Sequence, residues 1–172
     1  MGTWRLDAIE NVKGEGLERP ISIEVVLTSA LASRAQDARW VLHGVMSNVR
    51  YGMRSELVAL QNLQQPLGRP TARRAAMIPI KKSPTWWRLS QDERREIFEE
   101  TSRHTAIGLE YLPGVARQLY HSRDLGEPFD FITWFEYAPE HAAAFEELVA
   151  GLRSTEEWGY VEREVDLRLE LI

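Results

Sequence analysis

From residue 73 to residue 172 the hydrophobic pattern switches between a repeat of two and a repeat near 3.6, and that order constrains the fold more than any other feature of the sequence. RRAAMIPIKK (73–82) reads as a strand. LSQDERREIFEETSRHTA follows, with Ser90 at an N-cap position and Glu93 three residues on, the signature of a capping box. The helix it opens is expected over about 91–107, with Ile97, Phe98, Thr101, Thr105 and Gly108 along one stripe and His104 on the same inward side. YLPG (111–114) stops it, and VARQLYHS alternates so that Val115, Arg117, Leu119 and His121 share one strand face. LGEP (125–128) turns the chain into FDFITWFEY (129–137). Pro139 marks a second helix start, with Ala142, Phe145, Leu148, Val149 and Leu152 on one side, and YVEREVDLRLELI ends the chain as a strand whose alternation is imperfect.

Strand, helix, strand, strand, helix, strand is the ferredoxin-like order: an α+β fold, an antiparallel sheet with helices on one face. The first half is less regular. Residues 3–12, 21–27 and 38–51 resemble strands, 55–64 a short helix, and 66–72 a connecting loop. The expectation is a reduced N-terminal ferredoxin-like unit (1–72) and a complete C-terminal one (73–172) in one compact domain. The second face of such a sheet also needs a cover, and six tryptophans in 172 residues suggest a sizeable one, a partner subunit, a ligand or both.

The formal charge of −5 argues against a nucleic-acid surface, which requires a dominant basic stripe. With no cysteine, disulfides, iron–sulfur clusters and thiolate metal sites are excluded, which leaves His, Tyr, Met and carboxylates as metal ligands. The N-terminus has no secretory pattern and no apolar run approaches membrane-spanning length, so the expected setting is soluble and cytoplasmic. QPLGRPTAR lacks the glycine spacing and the Lys-Ser/Thr of a phosphate loop. Taken singly, His104 reads as a histidine at the core edge, Arg117 as a strand arginine paired to a carboxylate, Glu157 as a surface residue, Trp86 and Trp87 as core or interface, and Lys82 as a solvated strand end.

The stretch from IPIKKSPTWWRLSQDERREIF through RHTAIGLEYLPGVARQLYHS to ITWFEY, continuing to EEW, resembles the chlorite dismutase family of haem b proteins, in its short dimeric branch. The resemblance spans about residues 38–170 and joins separated elements in the family's order, within the dimeric α+β barrel superfamily. It implies a haem b cofactor, with His104 as the proximal ligand of the iron, Glu157 accepting the ring's other N–H, and Arg117 on the opposite, distal side. Trp86 and Trp87 match the tryptophan pair beside the haem, Lys82 and Tyr51 match positions near the propionates, and Arg50 matches more weakly.

The implied reaction converts chlorite into chloride and molecular oxygen: ferric haem cleaves the chlorine–oxygen bond while Arg117 retains a hypochlorite-like fragment, with detoxification a possible purpose. The implied partners are a small anionic substrate and a second copy of the chain. Coproheme decarboxylases share the fold but lack the arginine at this position, and dye-decolourising peroxidases pair theirs with a distal aspartate that LPGVARQLYH does not offer. A haem-binding or sensing protein on the same fold, or a dimer without any ligand, complete the alternatives.

Overall fold

The computed structural model describes residues 2–47, 54–111 and 113–172, and Arg50 and Tyr51 lie outside them. Seven strands form one antiparallel sheet in the order β2-β1-β7-β4-β6-β5-β3. They are β1 (Thr3–Lys13), β2 (Ser22–Glu24), β3 (Val45–Ser47), β4 (Arg74–Lys82), β5 (Val115–His121), β6 (Phe131–Tyr137) and β7 (Val161–Leu171). The inner four, β7-β4-β6-β5, are the ferredoxin-like order 4-1-3-2. The first half of the chain adds β1 and β2 at one edge and β3 at the other.

Two apolar clusters lie on opposite faces of the sheet. On one face, Ala76, Ile78 and Ile80 of β4 with Phe135 and Tyr137 of β6 pack against Phe145, Leu148, Val149 and Leu152 of α6 (Ala142–Arg153). The four α6 residues form the stripe read from the sequence, and tight packing of aromatic and branched side chains fixes the helix over the sheet. The other face carries Met77, Ile132, Trp134, Leu167 and Leu169, and the chain covers much of it with its own residues: Trp4, Leu6, Leu17, Ile23, Trp40 and Leu42. That face therefore does not depend on a partner or a ligand for all of its cover.

The imperfect alternation of the last strand has a local cause. From Glu164 onward β7 alternates cleanly, with Val165, Leu167 and Leu169 on the face that Trp4 and Leu6 cover. Val161 packs on the α6 side, because an irregularity at Lys81/Lys82 shifts the pairing with β4 and changes which face the strand's odd positions take. Pro79 sits in a central strand, and β4 makes no pair with β7 at Ile78 or Pro79, where the proline has no N–H to donate.

Three expectations need correction. Of 21–27 only Ser22–Glu24 is strand, and of the described part of 38–51 only Val45–Ser47. Residues 38–44 pack against the sheet without pairing, which is how hydrophobic residues imitate a strand in sequence. The single helix expected over 91–107 is instead three pieces: α4 (Gln91–Arg95), one π-helical stretch (Glu96–Thr101), and α5 (His104–Glu110). The break is at Arg103, whose φ of 51° is left-handed and ends any α-helix that reaches it. Two further helices complete the described set around the sheet, α2 (Arg54–Leu63) and α3 (Pro84–Arg88), beside one helical turn, α1 (Leu31–Arg34).

Candidate functional site

Between the sheet and the helices lies a cavity, lined from both sides. Strand periodicity builds its floor. Ile78, Ile80 and Lys82 come from β4, Val115, Arg117, Leu119 and His121 from β5, and Phe131, Thr133 and Phe135 from β6, each set at a spacing of two. The opposite wall is helical, with Phe98, His104, Thr105 and Gly108, and Leu148, Val149 and Leu152 of α6. Most of the surface that lines it is apolar, so the polar groups set into that surface define the chemistry.

On the helical wall His104 opens α5. Its Nδ1 is 2.7 Å from Glu157 Oε2, and Phe98 stacks on its ring with centroids 4.3 Å apart. Since Nδ1 is engaged, Nε2 is the nitrogen left to face the cavity, and it has no protein partner among the described residues. Glu157 lies in a 3-10 turn (Glu156–Tyr160) and is 3 % exposed. Its second oxygen takes a hydrogen bond from Lys82 Nζ at 2.7 Å, and its backbone N–H donates to Ser102 Oγ at 2.9 Å. Burial alone would raise the Glu157 carboxyl, but the positive charge and hydrogen bonds of His104 and Lys82 outweigh it and hold it at about 2.

Lys82 is as buried as its partner, its ammonium 4.4 Å from the centre of the Trp86 ring. Burial pulls the ammonium below its ordinary range, and Glu157 opposes that pull. Its charge therefore lies on the histidine side of the cavity.

Arg117 stands on the sheet wall, across from the helix that carries His104. Its guanidinium has no hydrogen-bond or ion-pair partner among the described residues, and its backbone carbonyl accepts from Gln64 at 2.5 Å. Desolvation pushes the guanidinium down, and the charge of Glu157 partly offsets this. A permanently charged fork whose donors have no partner among the described residues, facing a largely apolar cavity, is suited to a small anion.

Of the tryptophan pair, Trp86 lines the cavity and is 2 % exposed. Trp87 stands outside that lining, stacked on Phe131 with its indole N–H on Asp130 at 3.0 Å and Arg123 over its ring at 4.0 Å. The structure thus brings His104, Glu157, Lys82, Trp86 and Arg117 to one cavity, places Trp87 behind Phe131, and leaves Arg50 and Tyr51 undescribed.

Two neighbours of the site were not singled out from the sequence, and a third, His121, was placed on its face without being given a role there. Ser102 and Glu99, whose carboxylate accepts the Thr105 N–H at 2.9 Å, act on the break before His104 and carry no periodic signal. His121 lines the cavity and was legible, since it lies four residues beyond Arg117 on the same strand face.

Comparison with known proteins identifies the family. The chlorite dismutase family model matches residues 19–169. The chain belongs to the chlorite dismutase family. Among solved structures, a dimeric chlorite dismutase from Nitrobacter winogradskyi matches with a TM-score of 0.92 and 52% identity, covering 100% of this chain and 95% of that one. The chlorite dismutase of Candidatus Nitrospira defluvii in complex with imidazole matches at a TM-score of 0.65 and 30% identity, covering 83% and 63% of the two chains. The chlorite dismutase of Ideonella dechloratans is 40% identical over 86 residues, which is 50% of this chain but only 28% of that protein. Among the described residues no helix is long and apolar enough to cross a membrane.

Proposed function

We propose that this chain is a haem b enzyme of its family that converts chlorite into chloride and molecular oxygen and works as a homodimer. The observation that carries the proposal is the pairing of two walls of one largely apolar cavity: a carboxylate-bound histidine on the helical side and, on the sheet side, an arginine whose guanidinium has no partner among the described residues. No cluster of three or more metal-binding side chains exists among the described residues. A lone histidine suits a metal that brings its other ligands in a planar macrocycle, and the apolar lining suits the macrocycle itself.

When bound, the haem supplies an iron that cleaves the chlorine–oxygen bond of chlorite. His104 would ligate it through Nε2, with Trp86 alongside. Glu157 fixes the histidine tautomer and gives the ring anionic character, and Lys82 keeps Glu157 ionised by offsetting the cost of burying its charge. Arg117 would bind the anion by charge-assisted hydrogen bonds without accepting a proton, and would keep a chlorine-bearing fragment inside the cavity. Chlorite becomes chloride and dioxygen with no other reactant. The cavity's two carboxylates are both engaged, Glu157 as above and Glu164 by Arg153 and Trp158, so among the described residues no free carboxylate stands beside Arg117 to take a proton from peroxide. That favours chlorite decomposition over the peroxidase reading. Arg50 and Tyr51 enter as propionate neighbours on family likeness alone.

The test is oxygen evolution from chlorite by haem-loaded protein, followed with an oxygen electrode. Near one dioxygen per chlorite is expected, and haem binding with no oxygen would move the assignment to a haem sensor. His104→Ala is expected to lose stable haem on gel filtration; a retained, unaltered ferric spectrum would remove His104 as the ligand.

A further inference from the structure

We infer that Ser102 is a positioning residue for the His104–Glu157 pair, setting the carboxylate on which the histidine ring is oriented. The inference rests on the haem-ligand reading of His104. The first N–H groups of a short helical turn have no partner within it and require a cap. The turn that carries Glu157 has Thr155 at its N-cap position, but the Thr155 hydroxyl does not cap it and donates instead to the Leu152 carbonyl at 2.7 Å. Ser102, 55 residues earlier and 4 % exposed, serves in its place: its Oγ accepts the Glu157 N–H at 2.9 Å.

Ser102 and His104 belong to one bend, and both grip Glu157, Ser102 at the backbone and His104 at the side chain. The preceding chain makes this double grip possible. The helix widens into the π stretch Glu96–Thr101, Ser102 N–H closes onto Ile97 carbonyl at 3.1 Å, and left-handed Arg103 redirects the backbone so that α5 starts anew at His104. The Glu99 carboxylate holds the new start through the Thr105 N–H. A π stretch and a left-handed non-glycine residue are costly local choices, and they persist where surrounding contacts fix them. Here they bring a buried hydroxyl to the turn that orients the histidine. Through that contact Ser102 limits how far the Glu157 carboxylate can drift from Nδ1, and so how much anionic character the ring passes to a metal.

The test compares Ser102→Ala and Ser102→Thr with the wild type, all haem-loaded. Ser102→Ala is expected to keep its haem but to shift the iron–histidine stretching frequency and the reduction potential in the direction of Glu157→Gln, by a smaller amount, and Ser102→Thr to restore both. An unchanged frequency and potential in folded, haem-bound Ser102→Ala would overturn the inference. If the alanine variant does not fold, Ser102→Cys, close in shape and a weaker acceptor, carries the same comparison with the same two outcomes. A wild type that binds no haem would count against the proposed function and not against the Ser102 contact. In that case amide exchange in the haem-free protein decides: the Glu157 N–H is expected to exchange about tenfold or more faster in Ser102→Ala, and equal rates would overturn the contact.

Discussion

Glu157→Ala is expected to destabilise the haem-free protein by about 3–5 kcal/mol, because it leaves the Lys82 ammonium buried without its counter-charge. Lys82 is 3 % exposed, and its strongest favourable interactions are with the Glu157 carboxylate. Adding Lys82→Met to the variant is expected to recover most of the loss, since a flexible apolar side chain of similar length removes the charge and fills the space. Denaturant unfolding of the two single variants and the double variant measures this, and simple additivity of the two losses would count against the pair as a unit.

The same carboxylate gives a pH signature. The Glu157 carboxyl has an ordinary value of 4.5 and lies at about 2 in the fold. For an acid whose folded value is depressed, the stabilisation is complete above the unfolded value and is lost as pH falls through the folded one. The wild type is therefore expected to lose on the order of 3 kcal/mol from this group between about pH 5 and pH 2. In Glu157→Gln that component is absent, and identical acid limbs for the two proteins would place the titration elsewhere.

How much of this was legible depended on whether a residue's role follows a repeat. The α6 stripe and the cavity face of β5 obey simple periods, so Phe145, Leu148 and Arg117 could be placed from spacing alone. Lys82 was also within reach. It shares a period of two with Ile78 and Ile80, which puts it on the cavity face and not at a solvated strand end, whatever its charge suggests. The break at Arg103 was hidden for a different reason: Thr101, Ser102, His104 and Thr105 disfavour a helix only weakly, Arg103 is not the glycine such a position favours, and its left-handed backbone goes with the packing and the bond between Ser102 and Glu157. Glu157 sits in a short 3-10 turn with no repeat to mark it. Only the family resemblance connected it to a histidine 53 residues earlier, and the 2.7 Å contact now gives that connection a geometry.

Arg117→Met is expected to raise stability while removing the anion site. Folding takes part of the water from the half-buried Arg117 guanidinium and gives it no ion-pair partner among the described residues, so in the free protein its partial burial is a cost. Methionine keeps the stem against Val115 and Leu119 without that cost. The expected gain is about 1 kcal/mol, seen as a rise in Tm of roughly 2–4 °C for a chain of this size. The functional change runs the other way. Losing a charge-assisted contact worth about 1.5–3 kcal/mol should weaken binding of a small oxyanion such as nitrite to the ferric protein by roughly 10- to 100-fold. The total oxygen released from chlorite before inactivation should fall, because the chlorine-bearing fragment escapes before it reacts again. Arg117→Lys separates charge from geometry: an ammonium restores the attraction but not the two-pronged fork, so its oxygen yield should lie between those of the wild type and the methionine variant. A methionine variant that melts lower than the wild type would show that Arg117 is held by favourable contacts in the free protein. One that melts higher and inactivates early would identify Arg117 as a group retained for its chemistry at the expense of the fold.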